Sequence, residues 1–135
     1  MRFSHIDHIG IAVENLDQAI ATYTTLHGMP PSRITEVSTE HVKVALFPIG
    51  PTKIELLAAT NPQSPIAKFL AKHGPGLHHI CYAVNDFSAV VRELTTAGMQ
   101  CIERPTTHGA EGTRIAFFHP KSTGGVLIEL TELSK

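Results

Sequence analysis

Tryptophan is missing from this chain and cysteine is scarce. The 135 residues include no Trp, two Cys and only 6% aromatic side chains in all. Two thiols, Cys81 and Cys101, are too few for a disulfide framework, which points to a reducing compartment. An excess of charge is lacking too. Eleven basic and 12 acidic side chains leave a net charge of −1, so there is no basic footprint for nucleic acid. No stretch approaches the roughly 18–20 apolar residues that a membrane-spanning helix needs. The opening Met1-Arg2-Phe3-Ser4-His5 runs straight into strand-like sequence, which leaves no room for a signal or transit peptide and predicts a cytoplasmic protein. A Gly-rich phosphate loop is also absent, which argues against nucleotide hydrolysis.

What remains is ordinary globular material, 42% apolar and 17% charged, with one excess: nine histidines. The chain is also repeated. At a shift of 71 positions, His5-Ile6-Asp7-His8-Ile9-Gly10-Ile11-Ala12-Val13 falls on Gly76-Leu77-His78-His79-Ile80-Cys81-Tyr82-Ala83-Val84. Each run ends at a helix start, with Asn15 and Asp86 as the expected N-caps. Leu16, Ala19, Ile20 and Tyr23 then recur at helical spacing, as do Phe87, Val90, Val91 and Leu94. Gly28 and Gly98 are the expected stops, and Met29 and Met99 the expected core plugs behind them. Further on, Val44-Ala45-Leu46-Phe47 matches Ile115-Ala116-Phe117-Phe118, and Lys53-Ile54-Glu55-Leu56-Leu57 matches Leu127-Ile128-Glu129-Leu130-Thr131.

Each half therefore reads as strand, helix and three strands. Module one spans about 4–58 and module two about 76–133. Between them a linker helix at about 64–73 is capped by Ser64, started by Pro65 and stopped by Gly74. Its Ile66, Phe69 and Leu70 form the buried face, and Lys68 and Lys72 the solvated one. A 60-residue half would be marginal alone. The predicted class is α+β, with two tandem βαβββ modules sharing a curled mixed sheet in a single domain.

The repeat singles out four side chains. His8 and His79 occupy matching positions on the first strand of each half, and Glu55 and Glu129 matching positions on the last. A Glu between branched apolar neighbours on a strand is costly to bury without a cation nearby. Two imidazoles and two carboxylates suit a borderline or hard divalent metal (Co, Mn, Ni, Fe or Zn) and leave two positions of an octahedron open. By strand alternation Asp7 and His78 point to the opposite face. The other histidines carry little weight: His27, His41 and His73 are expected at the surface, His108 and His119 in loops, and the two cysteines as small buried hydrophobes.

The opening Asp7-His8-Ile9-Gly10-Ile11-Ala12-Val13 resembles the vicinal oxygen chelate superfamily (glyoxalase/bleomycin-resistance/dioxygenase fold), built from paired βαβββ modules around a metal. Five further stretches resemble its methylmalonyl-CoA epimerase family, among them Gly76-Leu77-His78-His79-Ile80-Cys81. The other four are Lys53-Ile54-Glu55-Leu56-Leu57, Ser64-Pro65-Ile66-Ala67-Lys68-Phe69-Leu70, Arg114-Ile115-Ala116-Phe117-Phe118-His119-Pro120-Lys121 and Gly124-Gly125-Val126-Leu127-Ile128-Glu129-Leu130. The resemblance implies His8, Glu55, His79 and Glu129 as ligands of one divalent metal, with cobalt first. It implies an acyl-CoA substrate, a homodimer, and interconversion of (2R)- and (2S)-methylmalonyl-CoA through C2 proton removal and a metal-stabilised enolate. The chain departs from the family at one base: Val44 stands where one branch carries a Glu. Glu129 and Glu55 are then the expected proton-transfer groups, with Glu36 and Glu40 in reserve. Lys121 and Arg114, and more weakly Lys72 and Lys68, are the cations that could reach CoA phosphates, and the loop from Thr106 to Thr113 could border the site. Competing readings are a glyoxalase-type isomerase, an extradiol dioxygenase, and a metal-free module that binds a small molecule.

Overall fold

A computed structural model of the chain describes residues 1–102 and 113–133. The element order is β1 (Phe3–Ala12), α1 (Leu16–His27), β2 (Arg33–Val37), β3 (Val42–Ile49), β4 (Thr52–Ala59), α2 (Pro65–His73), β5 (Gly76–Val84), α3 (Phe87–Thr96), β6 (Cys101–Ile102), β7 (Ile115–Phe118) and β8 (Leu127–Glu132). The α+β class and the twice-repeated strand, helix and three strands match the sequence reading. The strands are ordered β2-β3-β4-β1-β5-β8-β7-β6.

Backbone contacts divide the chain into two compact units, residues 9–78 and residues 1–8 with 79–135. The boundary falls inside β1 and β5. In the 9–78 unit, β2, β3 and β4 pair antiparallel. Period-two alternation gives β3 and β4 two apolar faces. Ala45, Phe47, Leu56 and Ala58 pack under Leu16, Ala19, Ile20 and Tyr23 of α1. Val42, Val44, Leu46 and Leu57 pack under Ile66, Phe69 and Leu70 of α2. Asn15 accepts the N–H of Gln18 at 2.9 Å, and Gly28 ends α1 at φ 77°. Ser64 caps α2 through the N–H of Ile66.

In the other unit, β5 and β8 run parallel, while β7 lies antiparallel to β8 and to β6. The even-numbered residues of these strands, Tyr82, Val84, Ala116, Phe118, Ile128 and Leu130, pack against Phe87, Val90, Val91 and Leu94 of α3. Alternation then sends His79, Cys81, Phe117 and Glu129 to the other face.

Several expectations change. Asp86 makes no side-chain cap, and α3 stops at Ala97, one residue before Gly98. Met99 does pack on the α3 core, but Met29 is 68% exposed, because the left-handed turn at Gly28 carries the chain off the sheet. His27 is half-buried rather than a surface group: its ring stacks edge-on to Phe47 at 4.8 Å, and its Nδ1 is buried without a hydrogen-bond partner. His41 is also half-buried, in a left-handed turn at φ 55° between β2 and β3. His73 is exposed, as expected. His119 lies between elements and caps the following turn through the N–H of Lys121. His108 lies outside the described residues.

The environments of Phe118 and Met29 predict very different costs. Phe118→Ala, at a position 1% exposed, should destabilise by about 3–5 kcal/mol. Met29→Ala should stay within about 0.5 kcal/mol. Urea unfolding of each variant checks both.

Candidate metal centre

Three of the four repeat-selected side chains meet within one unit. His8 comes from β1, His79 from β5 and Glu129 from β8, and all three are buried. The Nε2 atoms of His8 and His79 lie 3.0 Å apart. Glu129 Oε1 lies 3.1 Å from each of them. The two rings stand nearly perpendicular, at 88°, so both edges point at one spot. The parallel register puts Cys81 opposite Glu129 on β5, and the antiparallel register puts Phe117 opposite it on β7. Phe117 also borders the His79 ring.

The geometry fits a metal. Ligand atoms about 2.1 Å from a divalent ion and at right angles are about 3.0 Å from one another. The three observed separations match one triangular face of an octahedron, and the donor set of imidazole and carboxylate is that of a borderline cation. The ion itself would supply the positive charge that a buried carboxylate requires.

Electrostatics agree. Burial alone would push the Glu129 carboxyl up. The hydrogen bonds from His79 and His8, with their charge, outweigh that cost and hold it at about 2, down from an ordinary 4.5. Glu129 therefore stays a carboxylate across the working pH range. Burial pushes the Cys81 thiol up to about 12, even though His8 pulls the other way. Cys81 is a neutral wall residue, not a nucleophile.

The remaining expected residues sit on other segments of the chain. Glu55 sits on β4, in the 9–78 unit, half-buried opposite Leu46 and on the face of the strand that carries Leu57. Val44 is buried in the α2 core and carries no proton. Glu36 is exposed on β2, and Glu40 half-buried in the turn after it. Lys121 is exposed on a single 3₁₀ turn, and Lys68 and Lys72 are exposed on α2. Arg114 is committed elsewhere. Its guanidinium lies 3.1 Å from Glu132 Oε2 and 2.9 Å from Ser88 Oγ, and packs over the Phe87 ring. Of the loop from Thr106 to Thr113, only Thr113 lies among the described residues, bonded to the Thr131 hydroxyl at 2.8 Å.

One contact escaped the sequence reading. Asp7 was expected on the wrong face, yet its Oδ2 lies 2.7 Å from Nδ1 of His8. Alternation describes where Cβ atoms point, and a short carboxylate can still curl round the strand to its neighbour's ring. The sequence signal was only the adjacency Asp7-His8. Cys81, two residues after His79, belongs to the same face and is fully buried, as a small buried hydrophobe should be.

The sequence profile of the Glyoxalase/Bleomycin resistance protein/Dioxygenase superfamily matches residues 7–117. Human mitochondrial methylmalonyl-CoA epimerase is 37% identical over 94% of this chain and 73% of its own length. The ethylmalonyl-CoA/methylmalonyl-CoA epimerase of Cereibacter sphaeroides is 36% identical over 95% of this chain and 97% of its own. A Streptomyces coelicolor methylmalonyl-CoA epimerase variant, solved in complex with 2-nitronate-propionyl-CoA, superposes at a TM-score of 0.90, with 32% identity over 98% of this chain and 99% of that one. The chain belongs to the methylmalonyl-CoA epimerase family of that superfamily.

Two measurements test this electrostatic account. A depressed carboxyl stabilises the fold fully above its unfolded value near 4.5, and that contribution is lost as pH falls toward about 2. The urea midpoint of metal-free protein should therefore fall more steeply across that window than the midpoint of Glu129→Gln. At pH 8 the thiolate fraction of Cys81 is on the order of 10⁻⁴, so a disulfide reagent should leave it unlabelled in the native protein and label it in urea.

Proposed function

We propose that this protein is a metal-dependent epimerase that interconverts (2R)- and (2S)-methylmalonyl-CoA by taking and returning the C2 proton. The observation that carries the reading is the buried His8, His79 and Glu129 cluster, spaced as ligands of one ion, in a chain whose relatives are named for this reaction. Glu55, the repeat counterpart of Glu129, is the proposed fourth ligand. Cobalt is the first choice of metal. The two modules fold as one domain, the protein works as a homodimer, and its compartment is the cytoplasm.

A bound divalent ion supplies Lewis-acid stabilisation of the negative charge that develops on the thioester oxygen. The chain's own residues do the rest. The hydrogen between a thioester and a carboxylate is only weakly acidic, so its removal needs a base within hydrogen-bond reach, and inversion needs an acid on the other face. Both imidazole contacts of Glu129 fall on Oε1, which leaves Oε2 to take up the C2 proton. Glu55 is the partner that works from the other face, since Val44 cannot. Phe117 and Cys81 keep water from the charged edge of Glu129. Lys121, and Arg114 once it leaves Glu132, offer positive charge to the CoA phosphates.

Deuterium incorporation at C2 in D₂O provides the test. Cobalt-loaded protein should exchange and epimerise methylmalonyl-CoA, and protein stripped with EDTA should match the protein-free control. Glu129→Gln and Glu55→Gln should each slow exchange by about 10²–10⁴-fold. Full activity of Glu55→Gln with its metal intact would remove Glu55 from the proton-transfer pair. Metal bound without exchange would overturn the epimerase reading.

A further inference from the structure

The metal reading leaves a part-buried contact unused. Asp7 Oδ2 lies 2.7 Å from His8 Nδ1, the nitrogen that faces away from His79 and Glu129. An ionised carboxylate can only accept hydrogen bonds, so the proton between these two atoms is carried by Nδ1. The separation is that of a charge-assisted bond, and both side chains are largely shielded, 11% exposed for His8 and 21% for Asp7. Cys81 closes the same corner: its Sγ, an Asp7 oxygen and a His8 ring nitrogen lie within 4.8 Å of one another.

A proton on Nδ1 has a consequence at the other end of the ring. Once an ion displaces the proton that Nε2 gives to Glu129 Oε1, the ring would be neutral with its hydrogen on Nδ1, and the Nε2 lone pair would lie 3.1 and 3.0 Å from Glu129 Oε1 and His79 Nε2. The opposite tautomer would put a proton where a ligand bond has to form. The repeat sharpens the point. His79 matches His8, but the residue before it is His78, where Asp7 stands in module one. An acidic predecessor is built next to one histidine of the pair and not the other.

We propose that Asp7 is a positioning residue for the metal centre: it locks His8 in the Nδ1–H tautomer and fixes the ring so that Nε2 is ready to ligate. This rests on the metal reading above. Outer carboxylates of this kind are worth about 10–100-fold in metal affinity.

The experiment uses the full chain and the variants Asp7→Ala and Asp7→Asn. Affinity for Co²⁺ and Mn²⁺ is measured by chelator competition, and the histidine tautomers of the metal-free protein by long-range ¹H–¹⁵N NMR. Asp7→Ala should bind both ions about 10–100-fold more weakly. The His8 signals should leave the Nδ1–H pattern while those of His79 stay put. Asp7→Asn, which keeps the shape and one acceptor oxygen, should recover part of the affinity, and it carries the test if the alanine variant does not fold. Affinity within about twofold of wild type for both variants would overturn the inference. So would weaker binding with the His8 tautomer unchanged, since Asp7 would then act through its charge alone. Wild-type protein that binds neither ion would overturn the metal reading itself, and the inference with it.

Discussion

A carboxylate buried between two imidazoles is the constraint on which the rest of this structure turns. Removing Glu129 from water is expensive, and the cost is met only while His8 and His79 stay within about 3 Å of it. Three strands must therefore hold a common register. The parallel pairing of β5 with β8 and the place of β1 beside β5 in the strand order do this from the backbone. The α3 cluster behind them, with Phe118 and Leu130 at its centre, fixes the same strands from the other face. Packing on one side of the sheet supplies the stiffness that polar chemistry on the other side consumes.

Duplication explains how such a site arises from short segments. A strand that carries one His and a strand that carries one Glu are each used twice, and a repeated module yields paired His and Glu side chains without a dedicated loop. The copies have diverged where symmetry would not help. Asp7 precedes one histidine and His78 the other. Val44 is absorbed into the core beneath α2, a helix that lies between the modules and so has no second copy.

Local patterns proved readable where a single periodicity decides the outcome. Repetition marked His79 with His8 and Glu129 with Glu55 on matching strands, and helical spacing marked Leu16, Ile20 and Tyr23 as the inner side of α1. Reading failed where a side chain acts through its length or its turn. Asp7 curls round its strand to a neighbour that alternation places opposite. Met29 is carried outward by the turn at Gly28. His27 is drawn onto Phe47 from a helix end that looked solvent-facing. Arg114 is spent on Glu132, Ser88 and Phe87, partners that no pattern in the chain announces.

The sequence by itself determined the α+β class, the doubled βαβββ order and the identities of His8, His79 and Glu129, because hydrophobic period and repetition act within a few residues of each position. Only the tertiary structure decided that Nε2 of both histidines and Oε1 of Glu129 converge to about 3 Å, and that Asp7 grips the far side of one ring. Those facts depend on strand register, rotamer and burial, which are properties of segments brought together from distant parts of the chain.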